Sequence, residues 1–494
     1  MAEHARINGS GLARLLGNWI SGSGPLHRQL SSALRDLIEL GELPASTRLP
    51  SERTLAETLA ISRTTVVAAY QALRQDECIV SRQGSGTFVR PPDAAAMPVH
   101  GPAGLGVLAG ETRMSAFPGS TSRIIDLTSA AVPGLPLVAE VAGSLRHDDY
   151  VGLTEGHGYA PKGLPEFRLA VAAWYADAGV PTTPEQVLIT SGAQQALELV
   201  AAACLDPGDT VVLEDPSYRG ALQAFRTVGA RLRTVATDER GADVDAVEIA
   251  LRSVQPRFVY VLPTAHNPTG AVMPHALRSR LVELTVSRQV LLVDDGSTLG
   301  TVFRGATPPS LAAYAPDGPI VTIGSMSKVF WGGLRVGWIR AQPPLIARLA
   351  RVKGVSDLGT SLLSQVVALR LLTRYAEAVE LRQRQLLAGY ELLAGLLSDA
   401  LPSWSWQEPA GGASLWVRLP QPVATGFAQL ALRHGVAIVP GPVFSAAEHC
   451  EEHLRLPYAV PPGPLQAGVR RLANAWAAWS PGHHDPLAEP QLVV

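Results

Sequence analysis

The chain has 494 residues, more than one hydrophobic core usually organises, so its length predicts two to four structural units. Hydrophobic residues make up 47% and charged residues 17%, as in globular proteins, and no apolar run approaches the roughly 18 residues that a membrane-spanning helix needs. The formal net charge of −2 gives no general attraction to nucleic acid, so any prediction of DNA binding must rest on local pattern.

The cysteines bear on the cellular compartment. Cys78, Cys204 and Cys450 are odd in number and widely scattered, and none belongs to a CxxC pair. This pattern argues against both a disulfide framework and a zinc site. Nothing resembling a secretory signal opens the sequence. We therefore expect a cytoplasmic protein without a metal site.

The N-terminal region begins without regular pattern and then becomes helical. Residues 1–24 are polar and show no clear periodicity, which predicts a partly mobile tail. From Pro25 apolar residues recur at helical spacing, which predicts a first amphipathic helix. Ser51 and Ser62 each precede a short apolar face and can cap two further helices, with a turn at 60–61 between them. Two short helices joined by a tight turn indicate a helix-turn-helix.

Two β-prone segments follow these helices. Residues 79–81 and 87–89 flank a glycine-containing turn at 83–86, which predicts a hairpin. Residues 25–92 are therefore expected to form a winged helix-turn-helix domain. Residues 93–122 are rich in Ala, Gly and Pro and predict a semi-flexible linker.

The stretch LPSERTLAETLAISRTTVVAAYQAL, followed by GSGTFV, closely resembles the winged helix-turn-helix of the GntR family. The resemblance implies DNA contacts by four side chains and a wing tip near the minor groove: Arg53, Ser62, Arg63 and Thr64, and Gly84. In such a domain the start of the third helix enters the major groove, where Arg can bind guanine edges or phosphates. Glu77 is a departure, because the family usually has glycine before the wing.

A helical protein-interaction module is the alternative for this domain. Residues 25–90 hold 8 Arg against 7 Asp and Glu, so charge does not distinguish the two interpretations. The pattern match favours the DNA-binding domain.

The remainder of the chain, residues 123–480, alternates β-prone and helical segments, which predicts an α/β sheet. The β-prone runs are apolar throughout, as in strands buried on both faces: 187–190, 210–213, 258–262, 290–293 and 320–323. Beyond residue 360, long helical patterns surround a β-prone stretch at 413–419, which indicates a smaller α+β subdomain. Residues 481–494 are expected to form a C-terminal tail.

The segment GSMSKVFWGGLRVGW at 324–338 contains one of only three lysines among 41 basic residues. Arginine would supply charge and phosphate contacts equally well, whereas a carbonyl cofactor needs a primary amine that can lose its proton and form an imine. Lys328 is therefore a Schiff-base candidate. Ser325, Ser327 and Arg335 are placed to hold a phosphate beside it. A solvated lysine in a glycine-rich surface turn is the alternative.

This loop closely resembles the lysine loop of fold-type I pyridoxal 5'-phosphate (PLP) enzymes, the aspartate aminotransferase superfamily. The turn TSGAQQ, after a strand and before a helix, resembles the phosphate-binding turn of that family and makes Gly192 and Ala193 backbone ligands. Tyr218 follows another strand end, where the family stacks an aromatic ring on the cofactor. A tyrosine of the core or surface is the alternative.

Four more positions take roles from this resemblance. Asn267, in HNPTG, would donate to the phenolic oxygen of the cofactor. Asp294 would pair with the pyridine nitrogen and keep it protonated, with Asp295 as the alternative residue. Arg455 would bind the carboxylate of an amino-acid effector or, alternatively, form a structural ion pair. Tyr159 would reach the phosphate across a dimer interface.

A GntR-type reader joined to an aminotransferase-like body resembles the MocR, or GabR-like, subfamily of bacterial transcription regulators. The implied architecture is an N-terminal winged helix-turn-helix followed by an α/β PLP-dependent transferase fold of type I with a smaller α+β subdomain. The resemblance implies a homodimer that binds PLP and double-stranded operator DNA and responds to an amino compound or to PLP itself. The alternatives are a working aminotransferase with a DNA-binding appendage and a degenerate domain that only dimerises the reader.

Overall fold

A computed structural model describes residues 6–17, 19–20, 24–82, 85–90 and 124–479. The predicted linker, the wing-tip Gly84 and the C-terminal tail lie outside these residues. The chain divides into two compact units: Met1–Asp126 with Gln421–Pro440 and Ala467–Val494, and Leu127–Pro420 with Gly441–Gln466. The first unit thus combines N-terminal residues with two C-terminal segments, and the predicted domain boundaries remain predictions. Within the described ranges, no helix is long and apolar enough to cross a membrane.

The described helices and strands are numbered here in chain order. The helices are α1 (Gly9–Leu16), α2 (Leu26–Glu39), α3 (Glu52–Leu59), α4 (Arg63–Gln75), α5 (Pro136–Ser144), α6 (Val151–Thr154), α7 (Pro165–Asp177), α8 (Ala193–Cys204), α9 (Arg219–Thr227), α10 (Val244–Ser253), α11 (His275–Ser287), α12 (Pro343–Ser356), α13 (Leu362–Leu372), α14 (Tyr375–Ala400), α15 (Ala424–Arg433) and α16 (Pro462–Ala477). The strands are β1 (Ile79–Arg82), β2 (Gly86–Val89), β3 (Ile125–Asp126), β4 (Val187–Thr190), β5 (Thr210–Asp215), β6 (Arg231–Asp238), β7 (Gly241–Ala242), β8 (Phe258–Val261), β9 (Leu291–Asp295), β10 (Ile320–Ser325), β11 (Gly337–Arg340), β12 (Ser405–Trp406), β13 (Ser414–Arg418), β14 (Val436–Ala437), β15 (Val439–Pro440) and β16 (His453–Pro457).

In the first unit, α2, α3 and α4 confirm the three predicted helices, and the antiparallel pair β1–β2 confirms the hairpin. The Ser51 hydroxyl accepts a hydrogen bond from the Thr54 amide at 3.1 Å. The Ser62 hydroxyl accepts one from the Thr65 amide, also at 3.1 Å. Each serine therefore satisfies an amide that the helix start would leave unpaired, as its position in the sequence predicted.

Helix α1 lies within residues 1–24, for which the sequence predicted a partly mobile tail without regular periodicity. The Asn8 side chain caps this helix by accepting from the Gly11 amide at 2.6 Å, and Leu12 and Leu16 are fully buried in the core of the unit. Local pattern failed because the helix has only eight residues, two of which are glycines with low helix propensity. Burial of its leucines against the neighbouring helices supplies the stability instead.

The second unit contains an eight-stranded sheet in the order β4-β11-β10-β9-β8-β5-β6-β7. Strands β10, β9, β8, β5 and β6 run parallel, whereas β11 is antiparallel to both of its neighbours. All five predicted strands are confirmed. Apolar clusters cover both faces, with α7, α10 and α11 on one side and α8, α9 and α12 on the other. The carboxyl ends of the parallel strands therefore meet at one edge, where ligands of such sheets bind.

The smaller β-structure of this unit confirms the predicted strand at 413–419. Strand β13 pairs antiparallel with β12 and with β16, which carries Arg455 opposite Trp416. The long helix α14 buries Leu386, Leu393 and Leu397 and accounts for the helical pattern before that strand.

Candidate cofactor site and DNA-reading surface

Lys328 lies in the loop that follows β10. Its side chain is half-buried, and Nζ donates a hydrogen bond to the Ala130 carbonyl at 2.7 Å. Burial, assisted by the guanidinium groups of Arg455 and Arg382, lowers the pKa of this amine to about 8. Lys328 can therefore lose its proton near neutral pH, as a nucleophile for a carbonyl group must.

The turn between β4 and α8 forms a cradle beside Arg335. Gly192 caps α8 with φ of +105°, in the region that favours glycine. A Cβ atom added at Gly192 would lie 3.6 Å from Nη1 of Arg335. Amides at a helix start and a guanidinium so close to them are the donors that a phosphate requires, so these residues fit the phosphate of PLP.

Ser325 and Ser327 contribute hydroxyls to the same edge of the sheet. Ser325 is buried at the end of β10, and its hydroxyl accepts from the Ser327 amide at 3.2 Å. This contact orders the start of the loop that carries Lys328. The predicted grouping of the two serines with Lys328 therefore depends only on residues of this one loop.

Tyr218 is held beside the first turn of α8. Its hydroxyl donates to Oε1 of Gln194 at 3.1 Å, and its half-buried ring packs on Gly220. A Cβ added at Gly220 would lie 2.6 Å from that ring, so only glycine fits there. The structure therefore brings the aromatic ring close to the helix start at Ala193, although the two are 25 positions apart in the chain.

Asn267 and Arg455 are in contact. Nη1 of the buried Arg455 donates to Oδ1 of Asn267 at 3.4 Å, and Nη2 donates to the Thr128 carbonyl. The guanidinium also lies 4.7 Å from the centre of the Phe444 ring. The residue proposed to bind a carboxylate thus lies next to the residue proposed to contact the cofactor ring.

Asp294 and Asp295 are both buried but point to opposite faces of the sheet. Oδ2 of Asp294 accepts from the Ser310 hydroxyl at 2.8 Å and from the Leu311 amide at 2.9 Å. Oδ2 of Asp295 instead accepts from the Tyr260 hydroxyl at 2.8 Å. Burial raises the pKa of both carboxyl groups.

The face of the sheet distinguishes these two aspartates. Strand side chains alternate between faces, so Asp295 lies on the same side as Val293, whose cluster includes α8. In β10, Ile323 belongs to that cluster too, which places Ser325 on the same face. Asp295 and Ser325 therefore share the α8 face of the sheet, and Asp294 lies on the opposite face.

Glu214 and His266 form a fully buried pair that the sequence pattern did not predict. His266 Nε2 lies 3.5 Å from Glu214 Oε2, which also accepts from the Leu262 amide at 2.7 Å. Burial raises the pKa of Glu214 to about 8 and lowers that of His266 to about 3, so both groups are largely neutral at pH 7. The sequence signal that could have indicated this buried pair was the carboxylate at the end of the apolar run of β5.

Tyr159 lies on the surface of its unit. Its side chain is 60% exposed, and its ring centre lies 5.4 Å from that of His157. The next residue in the loop, Ala160, packs against the backbone of Gly359. Gly359 has φ of +133°, and a Cβ atom added to it would lie only 2.6 Å from the Ala160 carbonyl oxygen.

The residues expected to face DNA differ in how free they are. The side chains of Arg53 and Arg63 are 82% and 70% exposed, with ion-pair distances of 2.9 Å to Glu57 and 3.8 Å to Glu52. Thr64 is exposed as well. Ser62 is half-buried, and its hydroxyl caps α4. Gly84 lies outside the described ranges.

Comparison with known proteins agrees with both halves of the molecule. Residues 26–89 match the family described as bacterial regulatory proteins, gntR family, and residues 153–472 match aminotransferase class I and II. An uncharacterised HTH-type transcriptional regulator of Bacillus subtilis, YisV, is 30% identical over 471 residues, 91% of this chain and 96% of its own. The probable rhizopine catabolism regulatory protein MocR of Rhizobium meliloti is 33% identical over 371 residues, 73% of this chain and 74% of its own.

A solved structure supports the fold of the larger domain. LysN, the alpha-aminoadipate aminotransferase from Thermus thermophilus, was solved in complex with N-(5'-phosphopyridoxyl)-L-leucine and is 34% identical with a TM-score of 0.66, covering 72% of this chain and 92% of its own. The fold and the site thus define a GntR-type DNA-binding domain joined to a PLP-dependent domain of the aminotransferase class I and II family. The chain belongs to the MocR/GabR-like regulators of the GntR family.

Proposed function

We propose that the protein senses an amino compound, or PLP itself, at its aminotransferase-like domain and changes its affinity for operator DNA in response. The observation that carries this proposal is that one chain contains both exposed arginines in a helix-turn-helix and a lysine amine with a lowered pKa. Exposed Arg53 and Arg63 stand at the starts of α3 and α4, and the same chain holds Lys328 with a pKa lowered to about 8. An amine at that pKa exchanges readily with other amines for a carbonyl partner.

The residues present suit PLP. Amides of Gly192 and Ala193, the hydroxyls of Ser325 and Ser327 and the guanidinium of Arg335 would hold its phosphate. Bound PLP supplies a carbonyl group that amines attack and a ring that withdraws electrons. Lys328 would provide the attacking amine, with Ala130 O orienting it at 2.7 Å.

The ring would be held by residues on the α8 side of the sheet. We place Tyr218 against its face and Asp295 at its nitrogen, because both side chains lie on that side. An ionised carboxylate there would pair with the protonated pyridine nitrogen and so keep the ring able to withdraw electrons. Asn267 would donate its amide N–H to the phenolic oxygen.

Arg455 would select the effector. Its guanidinium is buried, so a carboxylate that reached it would form a strong, desolvated contact. The contact to Asn267 keeps the guanidinium beside the proposed ring position. We therefore expect α-amino acids or related amino carboxylates to be preferred over simple amines.

A homodimer is part of the proposal. Tyr159 is 60% exposed, and the segment around Gly359, whose backbone lies against that of Ala160, carries Val355, Leu358 and Leu363, which are exposed by 91%, 47% and 57%. A second copy of the chain would cover these side chains and would take up Tyr159 at its own phosphate site. A dimer would place two DNA-reading helices on an operator with two half-sites.

A working aminotransferase is the second candidate. The presence of a Schiff-base candidate, Lys328, and the 34% identity to the solved alpha-aminoadipate aminotransferase favour it. Under this alternative the DNA-binding domain would only direct the enzyme to DNA.

The decisive experiment selects genomic DNA fragments on the purified protein and measures operator affinity with a panel of amino carboxylates. A parallel assay measures turnover with each amino donor and a keto-acid acceptor. We expect an amino compound to change operator affinity by about tenfold, since coupling energies of 1 to 3 kcal/mol are typical, with few turnovers. Lys328→Ala should still bind the operator but lose the response. Multiple turnovers with unchanged DNA affinity would establish the enzyme instead.

A further inference from the structure

Lys353 is the last of the three lysines of the second unit, and it is completely buried. It lies near the end of α12, where Nζ donates to Oδ2 of Asp357 at 2.6 Å and to Oε1 of Gln195 at 2.8 Å. A buried ammonium group is costly unless it is fully hydrogen-bonded, so such a residue is retained only where its partners hold it in place.

Gln195 connects this ammonium group to the turn at the start of α8. Its Oε1 accepts from the Ser191 amide at 2.8 Å as well as from Lys353. Its Nε2 donates to Oδ2 of Asp357 at 2.6 Å. The orientation of the amide is unambiguous, because the backbone N–H and the ammonium can only donate and the carboxylate only accepts.

Asp357 completes the network and extends it. Its Oδ1 accepts from the Gly359 amide at 2.9 Å, and the next residue, Thr360, places its hydroxyl 3.2 Å from the hydroxyl of Ser191. Burial opposes ionisation of Asp357, but the hydrogen bonds from Lys353 and Gln195 outweigh it and lower the pKa of the carboxyl group. Ser191 is therefore held through both its amide and its hydroxyl.

We propose that Lys353 is a positioning residue for the turn between β4 and α8, whose amides at Gly192 and Ala193 form the phosphate cup. Through Gln195, Lys353 fixes the Ser191–Gly192 turn so that the following amides point at a phosphate. The proposal rests on the phosphate-binding role proposed above for Gly192 and Ala193. Ser191 uses its own amide inside the network, so the cup consists of the amides that follow it. Because the network is buried and charged, it holds the turn in one conformation before any ligand arrives, which lowers the entropic cost of binding.

The test compares binding of PLP with binding of pyridoxal, which lacks the phosphate, to cofactor-free full-length protein by visible absorbance. Lys353→Met should raise the Kd for PLP by about tenfold, because loss of one charge-assisted hydrogen bond typically weakens binding by roughly that factor. The Kd for pyridoxal should rise by less than about twofold. Gln195→Met should act in the same direction. Lys162→Met is the matched control, because Lys162 is exposed.

Each outcome decides a different point. If wild-type protein binds PLP no better than pyridoxal, the proposed phosphate cup itself is wrong. If wild type prefers PLP and Lys353→Met keeps that preference, the cup stands and the positioning role is refuted. Equal losses for both ligands, with a lower melting temperature, would make Lys353 merely structural. Loss of preference in Gln195→Met alone would assign the positioning to Gln195 without Lys353.

Discussion

The guanidinium of Arg433 donates hydrogen bonds to the main-chain carbonyls of Leu59, at 2.8 Å, and Ala60, at 2.6 Å. Leu59 is the last residue of α3, and Ala60 closes that helix in the left-handed conformation with φ of 52°. Arg433 ends α15, so a cation from the C-terminal half of the chain satisfies the carbonyl end of the first helix of the helix-turn-helix. Burial lowers the pKa of Arg433 to about 10, which leaves it charged at neutral pH.

The first prediction concerns this contact. Arg433→Met should destabilise the turn between α3 and α4 by about 2 kcal/mol, because two carbonyls lose a charged donor. Native-state hydrogen exchange of amides 60–66 measures the loss. Arg470→Met is the matched control, since Arg470 is an exposed arginine of the same unit. Equal protection in both variants would show that packing of α15 on α3 suffices without the cation.

The pKa of Lys328 predicts a pH dependence of stability. Between about pH 8 and its ordinary value of 10.5, the unfolded chain binds this proton and the folded chain does not. The unfolding free energy of cofactor-free wild type should therefore rise with pH across that window relative to Lys328→Met, by about 2 kcal/mol. Denaturant titrations at pH 7.5 and 10.5 give the difference. A constant difference between the two proteins at both pH values would contradict the lowered pKa.

The two aspartates at the end of β9 should separate by function. Asp295→Asn should weaken PLP binding by about tenfold, because the pyridinium loses a charged partner. Asp294→Asn should instead lower the unfolding free energy by about 1 to 3 kcal/mol, since it disturbs the buried contacts with Ser310 and Leu311. Cofactor titration and thermal melting are measured on both variants. The reverse pattern would restore Asp294 as the ring partner.

Glu77 occupies a backbone position suited to glycine. Its φ is 57°, a left-handed conformation in which a non-glycine side chain is strained. The family usually has glycine here, and with glutamate the same turn forms at a cost in free energy. Glu77→Gly should raise the unfolding free energy by about 0.5 to 1 kcal/mol, despite loss of the exposed ion pair to Arg90 at 2.9 Å. Arg90→Met removes that pair alone and serves as the control. A less stable Glu77→Gly protein would show that the ion pair outweighs the strain.

DNA binding should depend on the exposed arginines. Arg53→Ala and Arg63→Ala should each weaken operator binding by about 1 to 3 kcal/mol if the arginine contacts a base, and change the salt dependence if it contacts phosphate. Arg28→Ala in α2, also exposed, is the control. Fluorescence anisotropy with labelled operator measures all three. Affinities equal to wild type for both Arg53→Ala and Arg63→Ala would refute the docking of α3 and α4.

Local pattern predicted much of the molecule. Capping by Ser51 and Ser62 was predictable because a helix cap involves residues three positions apart. The central strands were predictable because each is a continuous apolar run bounded by turns. The grouping of Ser325, Ser327 and Lys328 was predictable because all three share one loop. Helix α1 escaped prediction, because only burial of its leucines compensates for its glycines.

The sequence by itself determined the order of elements and the DNA-binding and PLP-binding classes, and it singled out Lys328 as the Schiff-base candidate, because each depends on residues close together in the chain. Only the tertiary structure decided which of the two adjacent aspartates shares a face with α8, since that depends on strand register against β10. It also decided that Gln195 joins Lys353 to Ser191 and that Arg433 reaches Leu59. The contacting residues are 158 and 374 positions apart in the chain. No local sequence pattern predicts such contacts, because only the packing of the whole unit brings these side chains together.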